Sequence, residues 1–219
     1  MKLKTLLIAF AAFAFAATSF TTVGQSTASD TNQTPEQVEA KYTKAIEGRT
    51  ADILKVLALQ DQAKAGKVHD TIMGQYRTLK AWHDENDAKL KASRKDTNAV
   101  ATIRASLKEI HNKFLADLAM NLTPEQIDQV KDKMTYGKVQ FTFAGYRASY
   151  PDLSEANKQA ILEMLKQARE EAMDGGSAEE KTAVFQRYKG KINNFLSKQG
   201  IHPEKAKAAD AAATNASAK

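Results

Sequence analysis

Three stretches of this chain open with the same helix-starting device. "TPEQV" begins at Thr34, "TPEQI" at Thr123 and "SAEE" at Ser177. In each, a hydroxyl side chain is placed to accept from a backbone N–H three residues on. The Gln or Glu at that third position is placed to reach back to the cap. Proline follows the first two caps, at the helical position where a missing N–H costs nothing. Leu122 and Ile127 flank the second cap at the two hydrophobic-staple positions. Gly175 and Gly176 precede the third, and Gly137 and Gly200 stand where helix ends favour a left-handed residue. A looser "DLSE" marks another start near Asp152.

Apolar stripes between these marks repeat at about 100° per residue. One runs through Val68, Ile72, Tyr76, Leu79, Trp82 and Leu90. Another runs through Val100, Ile103, Leu107, Ile110, Phe114 and Leu118. Two more hold Ile161, Met164, Leu165 and Ala168, and Val184, Tyr188, Ile192 and Phe195. The pattern predicts helices at 35–58, 62–93, 98–120, 124–135, 154–174 and 178–199, each burying one face. The fold class expected is all-α, a multi-helix bundle of amphipathic antiparallel helices. Only "KVQFTFAGY" departs from this. Val139, Phe141 and Phe143 alternate as in a strand, but no second run offers a partner. The expectation is one extended aromatic crossover near 137–150, with those three residues turned to the helices and a short helix at 144–150 as a variant.

The ends read differently. Lys2 and Lys4 precede the apolar "LLIAFAAFAFAA", and small and hydroxyl residues follow. That is the pattern of a secretory signal peptide, assigned to residues 1–24. A flexible lead (25–33), a single helical domain (34–203) and a low-complexity tail (204–219) follow. An exported, unanchored protein, periplasmic or secreted, is expected. The chain has no cysteine, which excludes disulfides, thiolate chemistry and a lipid-modified cysteine after the leader. The net charge of +6 comes from bases interleaved with acids along helices, as in "KEIHNK". That is a solvated helical surface rather than a nucleic-acid patch.

"LTPEQIDQVKDKMTYG", "REEAMDGGSAEEK" and "YKGKINNFLSKQG" together resemble an exported bacterial family of unknown-function domains described as sugar-binding. The resemblance runs from about residue 36 to 203. It implies use of oligo- or polysaccharide and carries no ligand residues with it. "LTPEQ" is also similar to the repeated motif of Spy-type periplasmic chaperones, which makes a chaperone-like helical protein the alternative. A glycan-active enzyme is a third reading.

His83 and His111 lie on the apolar stripes of successive helices. If those helices form a hairpin turning near 94–97, the two rings stand about 4.5 Å apart along the axis. With Asp84 or Asp87 nearby they offer metal-ligand chemistry. Hydrogen-bonded histidines at a core edge are the simpler reading, and neither a metal nor a cofactor is expected. Asp174 ends a helix beside two glycines, where a carboxylate meets the wrong end of the helix dipole. It needs a cationic partner such as Arg169 or Lys181. Sugar binding needs aromatic faces with polar groups beside them. Tyr136, Tyr146, Arg147 and Tyr150 supply these in one stretch, and Arg187, Tyr188, Asn193 and Asn194 in another. No catalytic residue is assigned.

Mass analysis of the exported protein should find a new N-terminus between residues ~17 and ~30. A mature chain that retains Met1 would remove the expectation of export.

Overall fold

The computed structural model describes residues 33–203, which form α1 (Pro35–Leu57), α2 (Gln62–Ala92), α3 (Thr97–Ala119), α4 (Pro124–Met134), α5 (Lys138–Ser149), α6 (Glu155–Met173) and α7 (Ala178–Lys198). The signal peptide, most of the lead and the tail lie outside the described residues. No described helix is long and apolar enough to cross a membrane.

Both TPEQ starts close as reciprocal capping boxes. The Thr34 N–H donates to Gln37 Oε1 at 2.9 Å, and the Thr123 N–H donates to Gln126 Oε1 at 3.1 Å. Leu122 is buried and Ile127 packs against the same core, so the staple forms as well. The third start differs. Ser177 accepts from the Glu180 N–H, but Glu180 Oε2 takes the Gly176 N–H at 2.7 Å, one residue further back.

Two clusters make the core. Ile46, Ile53, Ile72, Phe114, Leu118 and Val130 join α1 to α4. Val139, Ile161, Leu165, Phe185, Ile192 and Leu196 join α5 to α7. α6 belongs to both, because Met173 at its end enters the first cluster while Ala172 lies in the second. α6 also packs on α4. There Arg169, 4 % exposed, sends Nη1 to Asp132 and Nη2 to Asp128, each at 2.7 Å.

The expected extended crossover is instead α5. The alternation of 139, 141 and 143 was the wrong period to follow. Val139, Thr142 and Tyr146 are the buried positions, spaced by three and four as on a helix. Phe141 is 79 % exposed and Phe143 only partly buried, so of the three expected anchors only Val139 is fully buried. Local β propensity of "KVQFTF" yields to packing on α6. The chain reaches α5 through a tight left-handed turn. Tyr136 and Gly137 have φ of 60° and 63°, and the Gly137 N–H closes α4 on the Asp132 carbonyl at 2.8 Å.

Thr123→Ala should cost about 0.5–2 kcal/mol in urea melts, and Phe185→Ala about 3–5 kcal/mol. Phe141→Ala should stay within about 0.5 kcal/mol of wild type. A Phe141→Ala loss as large as that of Phe185→Ala would place this ring in the core after all.

Candidate functional site

α2 and α3 form the hairpin expected from the sequence, turning at residues 93–96. It brings His83 and His111 to the turn between α6 and α7. Both meet Asp174, the C-cap of α6. His83 Nε2 lies 2.7 Å from the Asp174 carbonyl, and His111 Nδ1 lies 3.0 Å from its Oδ1. The remaining nitrogens face carboxylates. His83 Nδ1 is 2.9 Å from Asp87 Oδ1, and His111 Nε2 is 3.6 Å from Glu170 Oε2. Every one of these partners only accepts, so each ring is placed to donate from both nitrogens, which is the imidazolium form.

The helix end explains the cations. The last turn of an α-helix leaves carbonyls without intrahelical donors and carries partial negative charge. Lys181, 4 % exposed, donates to the Met173 carbonyl at 3.0 Å. His83 takes the Asp174 carbonyl and His111 the Asp174 carboxylate. A carboxylate that would be unfavourable at this end is thus held by its own cation. Of the two partners expected for Asp174, Lys181 faces it electrostatically, while Arg169 turns to α4.

The protonation equilibria follow. The hydrogen bond to Asp174 and the Glu170 carboxylate beside the ring outweigh burial and push His111 up to about 9. At His83 burial opposes the charge, but the Asp174 carbonyl and Asp87 prevail and its pKa is raised. Burial pushes Lys181 down to about 8. Burial would raise Glu170, yet the adjacent His111, the bond from Lys131 and the Arg169 charge bring it down to about 2.

Contact excludes a side chain at Gly176 and leaves little room for one at Gly175. A Cβ on Gly176 would stand 2.8 Å from His83 Cγ, and one on Gly175 would stand 3.1 Å from Lys181 Cγ. Trp82 fixes the His83 ring from the other side, edge-on at 5.0 Å, with its own Nε1–H on Ser106 Oγ at 2.9 Å.

Outside this hub a groove of about 590 Å³ runs between the two hairpins. Leu90, Leu107 and Val184 give it an apolar strip, with Arg104, Lys108 and Arg187 around it. Asp87, Glu171, Asp174 and Glu180 supply acceptors. Arg187 is paired with Glu171.

The residues expected to bind sugar do not share one concavity. Arg187 borders the groove. Tyr188 is buried, with Lys191 Nζ 4.1 Å from its ring centre. Tyr146 is buried, its hydroxyl donating to Asn193 Oδ1 at 2.8 Å with the Lys189 carbonyl at 3.1 Å. Tyr150 stacks on Tyr146 at 5.9 Å. Asn194 is exposed on α7. Arg147 lies exposed in a shallow depression with Pro151 and Lys158. Tyr136 stands apart, in a hollow with Arg49 and Asp52 of α1. Sequence reasoning assigned Glu180 to a helix cap alone. The Gly-Gly pair before Ser177 was the available signal, since two glycines mark a close approach.

Over residues 43–211 the chain matches the family described as "Protein of unknown function (DUF3826)", and it belongs to that family. The matched span contains every residue of the hub and groove. None of the curated proteins matches it.

A raised histidine pKa gives stability that is complete below the unfolded value and lost as pH rises through the folded one. For His111 that window runs from about 6.5 to about 9, and the loss is on the order of 1–3 kcal/mol. Raised His83 acts in the same direction. Lys181 acts oppositely above about 8, so the fall should be clearest between pH 6.5 and 8. Urea melts in chelator-containing buffer should show it, and His111→Gln should flatten it. An unchanged slope in that variant would deny His111 this role. Gly176→Ala should cost about 1–3 kcal/mol, since the His83 ring must move.

Proposed function

We propose that this chain is an exported saccharide-binding domain whose ligand lies in the groove between the α2–α3 and α6–α7 hairpins. One observation carries the reading: the groove sets donors and acceptors of both charge signs around an apolar strip. A sugar presents the matching surface. Its hydroxyls both donate and accept, and its C–H faces are apolar. Arg104, Lys108 and Arg187 are donors for ring and hydroxyl oxygens. Glu171 and Asp87 are acceptors for hydroxyl protons. The balance of charge favours a neutral or weakly charged glycan over a phosphate-rich ligand. The groove volume of about 590 Å³ falls within the usual span of small-ligand sites. Its open side would let a longer chain continue beyond it. The resemblance of "AMDGGS" and "YKGKINNFL" to a family described as sugar-binding supports the same reading, and Asp174 and Gly175 of the first stretch border this groove.

The test is a glycan array with the mature protein, followed by calorimetry with the selected oligosaccharide. Charged hydrogen bonds contribute about 1.5–3 kcal/mol each. Lys108→Ala and Arg187→Ala should therefore weaken binding roughly tenfold or more, while thermal melts stay near wild type because both side chains are exposed. Absence of glycan binding would end this proposal. Binding that survives both substitutions but falls in Arg147→Ala would move the site to the depression on α5.

A further inference from the structure

His83 and His111 share Asp174 but do not face each other's free nitrogen, so they do not form a two-histidine pair. A different set gathers at His83. Its Nδ1 lies 2.9 Å from Asp87 Oδ1 and 3.9 Å from Glu180 Oε2. One donor atom from each residue fits within 4.8 Å of the other two. We propose that His83, Asp87 and Glu180 form a binding site for a divalent transition-metal ion of the zinc type, at the wall of the groove.

The spacing suits such an ion. Imidazole nitrogen and carboxylate oxygen bind zinc at about 2.0–2.2 Å, which puts tetrahedral ligand atoms about 3.3–3.6 Å apart. The two distances from Nδ1, 2.9 and 3.9 Å, bracket that range, and small rotations of two exposed carboxylates would complete the set. The histidine is also oriented as ligating histidines are. Its far nitrogen, Nε2, donates to a main-chain carbonyl, that of Asp174, at 2.7 Å. Such a bond fixes the tautomer that leaves the other nitrogen for a metal. Metal binding then displaces the Nδ1 proton that otherwise points to Asp87.

The carboxylates are supported as well. Asp87 is four residues after His83, one turn along the same face of α2. Glu180 comes from α7, and its Oε2 takes the Gly176 N–H at 2.7 Å. That bond explains why "SAEE" lacks the reciprocal cap of the TPEQ starts: the carboxylate is turned toward His83. One nitrogen and two carboxylates favour zinc, manganese or iron(II) over calcium, which takes six to eight oxygens. Three protein ligands leave a coordination position open. All three residues line the groove. A bound ion would thus be a Lewis acid within reach of whatever the groove holds.

The experiment titrates zinc chloride into the chelator-stripped full chain by calorimetry. Manganese chloride and calcium chloride form parallel arms. One zinc per chain is expected, with calcium the weakest of the three. Asp87→Asn and Glu180→Gln should each weaken zinc binding at least tenfold. Their side chains are 51 % and 47 % exposed, so both variants should fold, which circular dichroism checks. His69→Gln removes the exposed His69–Asp70 pair and should change nothing. Absence of zinc uptake, equal binding by the Asp87 and Glu180 variants, loss in His69→Gln, or a preference for calcium would each overturn the assignment. No saccharide enters the titration, so its result is independent of the glycan reading.

Discussion

The C-terminus of α6 is the point on which the arrangement of helices depends. Its last carbonyls lie inside the protein, where bare acceptors are costly. Lys181 from α7 and His83 from α2 answer them, and His111 from α3 holds the Asp174 side chain. Three helices therefore converge on one helix end, each through a cation. The convergence is chemical as well as geometric. A helix terminus with partial negative charge is a place where imidazolium and ammonium are favoured. Each protein group thereby satisfies another without water. Gly176 follows from the same demand, because His83 approaches the turn more closely than a Cβ would allow, and Lys181 crowds Gly175.

A second set of charges, centred on the buried Arg169, fixes the other end of the contact between the two clusters. Arg169 reaches from α6 to Asp128 and Asp132 on α4, and Lys131 reaches back to Glu170. Ion pairs that reach the surface add little net stability, but the buried Arg169 left without its carboxylates would be expensive. Their effect is therefore on register more than on stability. α6 carries alternating obligations along its length. Ala168 and Ala172 face α7, Arg169 faces α4, and Glu170 faces α3 and α4. A shift of one residue would break all of them together. Glu170 bridges His111 and Lys131, and so ties the register to the hub.

Much of this was legible in the sequence, and the reasons are local. Helix starts are written in short-range chemistry: Thr34 and Thr123 close the capping boxes their spacing implies, Ser177 caps without the return bond from Glu180, and the start expected near Asp152 is capped by Ser154. The α2–α3 hairpin and the partly buried state of His83 and His111 followed from their stripes. α5 was misread because its aromatic run satisfies two periods over a few residues. The deciding contacts, Val139, Thr142 and Tyr146 against α6 and α7, are made with residues distant in sequence. The hub was half visible. Asp174 stood out as a carboxylate in the wrong field, and it does have a cationic partner. That the partner is His111, 63 residues away, is a product of how the two hairpins dock. Nothing in the spacing of either element encodes that docking alone. Aromatic content drew attention to 136–150, yet rings there are used in packing at Tyr146 and left exposed at Phe141.

The groove is built from two units that meet only in the folded state. Arg104, Lys108 and Asp87 belong to the α2–α3 hairpin, and Glu171, Glu180 and Arg187 to the α6–α7 hairpin. A ligand spanning the groove would touch both. Such a ligand binds the docked arrangement and not the separated one, so its binding free energy adds to docking by mass action. The reverse also holds, since whatever holds the hairpins together preorganises the site. The cationic hub forms one wall of the groove through His83, His111 and Asp174, and contributes to it in this sense. Asp174 keeps His83 and His111 in one place, and His83 in turn positions Asp87 and faces Glu180. Chemistry at the surface of the groove is thus set by an electrostatic problem at its own wall, the termination of α6. A groove supported in this way rests on helices rather than on a long loop. Its polar groups are carried by helices, and the short turn between α6 and α7 is fixed from three sides.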